Sequence, residues 1–284
     1  MPERFMERRL ALSRPLRDRD LAPVRGDDSN TQLVEGVFSG LRNREFTVAF
    51  QPIVHAKTGA LWSVECLLRW KHPDYGTLLP GAFADALRDP EVGREIFFFV
   101  LASACCQFEK LRCSGRKLQR IAINIQPSLL TDDSLGAAIA EIATRHDISP
   151  SFLELELVET EDAATLLATR HLTAPIRELG IRLSLDDFGT GFSSLSALCS
   201  MRIDTVKLAR DFMKQIPELS RSCDFVAGIL DVLKIAGMTV VVEGVENEAQ
   251  LNWLSRRDEV YVQGFYIARP APTLADALLP WRHP

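Results

Sequence analysis

Eight short β-rich runs, most of them separated by longer stretches of helical periodicity, constrain this chain more than any other feature. The runs fall at 46–54, 61–70, 121–126, 152–157, 181–186, 205–208, 239–243 and 260–265. Each is apolar and rich in branched or aromatic residues, as strands require. Candidate helices fill 81–111, 128–146, 160–179, 193–198, 220–236 and 246–254. In the fifth, Phe225, Val226, Ile229, Leu230, Leu233 and Ala236 recur at helical spacing, and Gly237 is placed to end it. Thr160 can cap the third, with Glu161 and Asp162 at its amide-rich start. Only the six residues 55–60 join the first two runs, too few for a crossover helix, so those strands form an antiparallel hairpin. The pattern predicts an α/β fold, a TIM-like (β/α)8 barrel with an antiparallel first strand.

Length and composition agree with this. The chain of 284 residues could hold two domains, yet one barrel of about 250 residues also fills it. With 46% hydrophobic and 25% charged residues, disorder, collagen-like repeats and coiled coils are excluded. A net charge of −5 argues against a partner of duplex DNA or RNA, which a backbone-tracking domain meets with excess Lys and Arg. The most apolar stretch, 96–106, has eleven residues against the roughly 20 of a membrane helix, so no membrane span is expected. Residues 1–30 carry seven arginines and no apolar signal core, and read as a flexible Arg-rich extension ahead of a barrel domain at 31–284. The expected compartment is the cytoplasm. Six cysteines without a CxxC pair are expected to be reduced and mostly buried.

In a barrel of this kind chemistry sits at the carboxyl ends of the strands. Polar residues collect there: Glu65, Asn124, Glu156, the pair Asp186 and Asp187, Lys207 and Glu243. A two-residue period places Leu153, Leu155 and Leu157 on one face of their strand and Glu154 and Glu156 on the other. With helices outside, the acidic face looks into the barrel, where unpaired carboxylates cost several kcal/mol each. A metal centre resolves that cost. The five histidines form no HxxxH pair, and an oxygen-only donor set favours Mg²⁺, Mn²⁺ or Ca²⁺ over zinc. Asp186 and Asp187 can serve one site only where the strand gives way to the loop at Phe188-Gly189-Thr190-Gly191. A carboxylate shared by two ions about 3.5–4 Å apart is an arrangement that hydrolyses phosphodiesters.

These residues resemble the EAL family of cyclic di-GMP phosphodiesterases over positions 50–270. The signature is Glu65-Cys66-Leu67, followed by Leu68-Arg69-Trp70 and preceded by Phe50-Gln51-Pro52-Ile53-Val54. Asn124, the run Glu154 to Glu159, Asp186-Asp187-Phe188-Gly189-Thr190-Gly191-Phe192-Ser193-Ser194, Val206-Lys207, Glu243-Gly244-Val245-Glu246 and Gln263-Gly264-Phe265 follow in family order. The resemblance implies two divalent cations, Mg²⁺ or Mn²⁺ with Ca²⁺ inhibitory. Glu65, Asn124, Glu156 and Asp186 would bind one, and Asp186 with Asp187 the second. It further implies that Glu243 supports metal-bound waters, and that Lys207 orients the attacking hydroxide or offsets phosphate charge. Glu159 would brace the loop from Asp187 to Phe192, with Glu246 and Gln263 as supporting contacts or direct contacts to the ligand. Gln51, Leu67 and Arg69 would line the nucleotide site, Arg69 on a phosphate oxygen. The implied reaction opens cyclic di-GMP to linear 5′-pGpG, lowering a bacterial second messenger, and a homodimer is implied as well.

Two departures stand out. Family members usually read Lys-Ile/Leu-Asp where this chain has Lys207-Leu208-Ala209, and 84–90 lacks the usual glutamate, so activity lowered by Ala209 is expected. Taken alone, the Asp-Asp-Phe-Gly run is equally a turn, Lys207 and Glu243 could form a structural ion pair, Asn124 could satisfy loop amides, and Arg69 could cover Trp70. Cys66 reads as packing, and Phe97, Phe98 and Phe99 as core. The alternative function is a catalytically weak or inactive cyclic di-GMP receptor that signals to a regulatory protein partner, or a regulator indifferent to the nucleotide.

Overall fold

The computed structural model describes residues 27–113, 118–191 and 195–279. Its strands are β1 (Phe46–His55), β2 (Leu61–His72), β3 (Gly76–Leu78), β4 (Ile121–Asn124), β5 (Leu153–Val158), β6 (Arg182–Phe188), β7 (Thr205–Leu208), β8 (Thr239–Val242) and β9 (Val260–Val262). The order β1-β9-β8-β7-β6-β5-β4-β2 closes on itself because β1 also pairs with β2, and β3 hangs from the outer edge of β2. β1 runs antiparallel to both its neighbours, whereas β2, β4, β5, β6, β7, β8 and β9 pair in parallel. This is the expected eight-stranded barrel with its antiparallel first strand.

The helices are α1 (Asp27–Arg42), α2 (Ala84–Leu87), α3 (Pro90–Cys113), α4 (Leu135–Arg145), α5 (Glu161–Ala168), α6 (Arg170–Glu178), α7 (Leu195–Leu198), α8 (Ser220–Ile235), α9 (Glu248–Leu254) and α10 (Leu274–Ala277). Several differ from expectation for local reasons. The single helix expected at 81–111 begins at Pro90, because proline fits the first turn of a helix and not its interior. The Asp89 carboxylate accepts from the Glu91 and Val92 amides there. The helix expected at 128–146 starts with a 3-10 turn, Pro127–Thr131, before α4. The one at 160–179 divides at Thr169, whose backbone is extended, while Thr160 caps α5 as expected by accepting from the Ala163 amide. β4 stops at Asn124 and β9 at Val262, short of the expected ends, and residues 193–194, the start of the helix expected at 193–198, lie outside the described residues.

α1 was not expected. Its Val34, Val37, Phe38 and Leu41 recur at helical spacing and pack on the core, Val37 fully buried. Gly36 and Gly40 let the helix lie directly on Trp70, since a Cβ on Gly40 would sit 2.9 Å from the indole nitrogen. That nitrogen donates to Glu45. The helix starts four residues inside the expected extension, and residues 1–26 lie outside the described ones.

Outward-facing Leu153, Leu155, Leu157, Val206, Leu208, Val240 and Val242 join one core beneath the helices. Ile53, Trp62 and Val241, with Tyr261, form a separate apolar cluster. Ile53 shares its strand parity with Gln51, and Val241 with Glu243, so this cluster belongs to the barrel interior. No helix among the described residues is long and apolar enough to cross a membrane.

Candidate metal centre

Parallel registration brings the acids together. Asn124 pairs with Glu156 across β4 and β5, and Val158 pairs with Asp186 across β5 and β6, so Glu156 and Asp186 occupy adjoining levels of the same interior. One carboxylate oxygen each from Glu65, Glu156 and Asp186 lies within 4.8 Å of the others, and all three residues are buried. Asn124 donates to Glu65 Oε1 at 3.3 Å, which sets its amide beside the triad.

Lys207 stands in the middle. Its Nζ is 2.8 Å from Glu243, 3.0 Å from Asp186, 3.3 Å from Glu156 and 3.4 Å from Glu65, and the side chain is 1% exposed. Burial pulls its pKa down, but Asp186, Glu156, Glu243 and Glu65 outweigh burial and raise it well above the ordinary lysine value, so the ammonium stays charged. Four carboxylates around one ammonium leave a net charge of −3 if all ionise. The centre responds by holding protons: burial, then Glu65 and Asp186, push Glu156 well up against the pull of Lys207. Glu243 is pushed up to about 8, by burial first. Asp187 rises too, through burial and then through Asp186.

Both aspartates belong to β6, which runs on to Phe188, whereas the strand was expected to end at Asp186. A bulge reconciles them. Leu185 pairs with Val206 and Phe188 with Leu208, so Asp186 and Asp187 face the single residue Lys207 on β7. Asp187 takes a left-handed backbone with φ 54°, which breaks the alternation that would separate the two side chains. Asp187 lies outside the carboxylate triad, and among the neighbours that set its pKa are Asp186, Lys207, Glu65 and Arg210.

The loop that follows is tied down by Glu159. One carboxylate oxygen, Oε2, accepts from the amides of Gly189 at 2.9 Å, Thr190 at 3.1 Å and Gly191 at 3.1 Å. Gly189 has φ 98°, and a Cβ there would fall 2.3 Å from the Phe212 ring, so neither backbone nor packing admits another residue.

A second chain of hydrogen bonds fixes the opposite wall. Gln263 Nε2 donates to Glu65 Oε2 at 2.7 Å and to Gln51 Oε1 at 3.0 Å, and Gln51 Nε2 donates to the Ala268 carbonyl at 3.0 Å. Gln263 Oε1 is buried without a partner among the described residues. Above the centre opens a cavity of about 260 Å³ whose walls include Glu65, Asp186, Glu243, Glu246 and Leu67. Salt bridges to Lys207 therefore do not plug the site. Arg69 is not on its walls; it donates to the Leu68 carbonyl at 2.8 Å. Arg210 and Phe265, to which sequence reasoning gave no role, do line it. Their signal was position: Arg210 directly follows Lys207-Leu208-Ala209, and Phe265 closes Gln263-Gly264-Phe265.

Glu154 shares the inward parity of Glu156 but faces Arg182, at 4.0 Å, so only one of the two glutamates reaches the centre. Cys66 packs in the core as expected. The expectation of mostly buried thiols needs correcting: no disulfide joins the cysteines among the described residues, but Cys113 and Cys199 are exposed and Cys106 and Cys223 half-buried.

A closed barrel carrying a buried acidic centre at the carboxyl ends of its strands places the molecule among TIM-like barrels built for polar chemistry. The family model for the EAL domain matches residues 35–270, and the chain belongs to that family. It is 32% identical over 244 residues to the cyclic di-GMP phosphodiesterase NbdA of Pseudomonas aeruginosa, spanning 86% of this chain and 31% of that protein. It is 31% identical over 239 residues to the cyclic di-GMP phosphodiesterase RocR of the same species, spanning 84% and 61%. The PaMucR phosphodiesterase, solved as a c-di-GMP complex, superposes with a TM-score of 0.77 at 32% identity, covering 87% of this chain and all of that one. The chain spans about a third of the length of the first curated relatives it matches.

Proposed function

We propose that this chain is a metal-dependent phosphodiesterase that opens cyclic di-GMP to linear 5′-pGpG. The observation that carries the reading is the convergence of Glu65, Glu156 and Asp186 within 4.8 Å, with Glu65 and Asp186 on the wall of an open cavity. The donor set fits hard divalent cations. It is all oxygen, it holds more negative charge than Lys207 offsets, and Glu156 and Glu243 take up protons where a cation would otherwise balance them. Glu65, Asn124, Glu156 and Asp186 would hold one ion, Asn124 through its amide oxygen, and Asp186 with Asp187 the second. When bound, such ions supply Lewis acidity toward a phosphoryl oxygen and lower the pKa of water.

The remaining work falls to the chain. Lys207, permanently charged, offsets charge on the phosphate and orients the attacking oxygen. Glu243, its closest partner, supports water in the cavity and can take a proton from it. Glu159 holds the 189–191 backbone so that Asp187 keeps its left-handed turn. Gln51 and Leu67 line the nucleotide site, Arg69 and Glu246 stand at its margin, and Gln263 braces Glu65. Water oxygen bonds to phosphorus, the P–O3′ bond breaks, and the leaving 3′ oxygen gains a proton. Magnesium or manganese as the ion, pairing of two copies, a regulatory protein partner, a cytoplasmic setting and residues 1–30 as an extension outside the barrel belong to the same reading. Purified chain incubated with cyclic di-GMP and Mg²⁺ or Mn²⁺ should yield pGpG on ion-exchange chromatography. Absence of product with both metals would overturn the proposal.

A second reading, a receptor that binds cyclic di-GMP without cleaving it, is favoured by one observation. Ala209, 2% exposed at the end of β7, puts a methyl group where the family usually has an acid near the second ion.

A further inference from the structure

The cavity presents anions from several strands but only one cation. Glu65, Asp186, Glu243 and Glu246 are on its walls, Lys207 lies buried beneath with its ammonium committed to four carboxylates, and Arg210 is the one basic residue among the described residues that line it. Arg210 opens the 3-10 turn Arg210–Met213 that follows β7, two residues beyond the strand that carries Lys207. It is exposed, and no hydrogen bond or ion pair engages its guanidinium among the described residues. Its stem is nonetheless fixed. Gly244, with φ 68°, lies so close that a Cβ there would fall 2.3 Å from Arg210 Cβ and 3.0 Å from its Cα. The absence of a side chain at 244 is what lets the arginine stem lie against the loop after β8, directly beside Glu243. The structure thus holds a forked cation, near enough to Asp187 to act on its pKa but hydrogen-bonded to nothing among the described residues, at the rim of an otherwise anionic cavity.

Cyclic di-GMP carries two phosphodiesters, and one cleavage needs only one of them at the metal centre. The second, equally anionic, must rest against walls that repel it unless a cation faces it. A guanidinium meets a phosphate with two parallel N–H donors, which gives it both charge and orientation. Arg69 donates to the Leu68 carbonyl at 2.8 Å and is not on the wall.

We infer that Arg210 is the positioning residue that holds the non-reacting phosphodiester of the substrate at the cavity rim. The inference rests on cyclic di-GMP being the ligand. Because the contact exists before and during reaction at the other phosphate, it stabilises bound substrate and transition state alike, so its loss should appear in KM and Kd and spare kcat.

The test compares the unaltered chain with Arg210→Ala and Arg210→Lys. Steady-state turnover of cyclic di-GMP is followed with Mg²⁺, and equilibrium binding is measured with Ca²⁺ in its place. Arg210→Ala should weaken binding and raise KM by about tenfold, the order set by loss of one charge-assisted contact, with kcat changed less than about threefold. Arg210→Lys should recover part of the loss, since it keeps charge without the fork. Melting temperatures should coincide within a degree or so, because the side chain is exposed and makes no hydrogen bond or ion pair among the described residues. Equal Kd and KM for Arg210→Ala and the parent would overturn this assignment alone. A parent that neither binds nor cleaves cyclic di-GMP would overturn the proposed function, and this inference with it.

Discussion

Lys207 Nζ lies 2.8 Å from Glu243 Oε1, the shortest of its four contacts with carboxylates inside the barrel. Removing the ammonium while keeping the bulk, as in Lys207→Met, leaves buried carboxylates without their cation. Breaking such a cluster by deleting one partner costs about 3–5 kcal/mol. The variant should therefore melt well below the parent in EDTA and regain more of the difference than the parent does on adding Mg²⁺, because a bound divalent ion takes over the charge. Thermal unfolding with and without metal reads this directly. Equal melting temperatures in EDTA would mean that the ammonium is dispensable to the fold.

Glu159 predicts a different separation. Its single oxygen satisfies three consecutive amides, at Gly189, Thr190 and Gly191. Glu159→Ala releases all three, at about 1.5–3 kcal/mol for each bond to a charged acceptor before water replaces it. Since the loop is partly solvated, most of that returns from water, so the melting temperature should fall by only a few degrees. Turnover should fall on the order of a hundredfold, because Asp187 loses its fixed turn, with Glu159→Gln intermediate. Hydrogen exchange at 189–191 should accelerate in step with the loss of kcat.

Gly189 tests the same loop from its backbone. Gly189→Ala places a methyl group into the Phe212 ring at a φ of 98°, so both the conformation and the contact are lost. A destabilisation of about 1–3 kcal/mol is expected, with part of it relieved in the double variant with Phe212→Ala. A purely additive double variant would place the cost in the backbone alone.

The cysteines give a pH-dependent check. Burial, then the neighbouring Cys106, pushes the Cys105 thiol up to about 11, and Cys66 rises by burial and then by Glu65 and Glu156. At pH 8 both remain thiols and should resist iodoacetamide, whereas exposed Cys113 and Cys199 should alkylate first, read by peptide mass. A folded pKa above the unfolded one means that the thiol's contribution to stability is complete below about pH 9. It is lost as pH rises toward 11.

What could be read before any coordinates was whatever depends on period two or on chain order. Leu153, Leu155 and Leu157 against Glu154 and Glu156 announced an acidic barrel interior, and the short 55–60 connection announced the reversed first strand. What could not be read depends on tertiary offset. Lys207 meets four carboxylates only because β7 sits between β6 and β8 at one level, and Glu154 is excluded because it lies two residues lower on the same strand, opposite Arg182. The bulge at Asp187 has no local signature beyond two adjacent acids, and α1 was passed over although its apolar spacing was in plain view. Helix ends went astray where Pro90 and Thr169 interrupt a periodicity that continues across them.

Ala209 decides between the two readings of the site. It is 2% exposed, and its amide donates to the Phe188 carbonyl at 3.3 Å, so an acid placed there would be buried next to the strand that carries Asp186 and Asp187. Without metal, Ala209→Asp adds another carboxylate to an acidic interior and should lower the melting temperature in EDTA by several degrees, since an unpaired buried charge costs several kcal/mol before relaxation. With Mn²⁺ the same carboxylate becomes an additional ligand, so the melting temperature should recover beyond the parent's own metal shift. In the phosphodiesterase reading kcat then rises severalfold and the metal concentration giving half-maximal rate falls. In the receptor reading the variant gains metal affinity and stability while pGpG stays absent. A titration of Mn²⁺ against both melting temperature and product formation separates the two, because a stability gain without turnover means that the missing acid was never what held activity back.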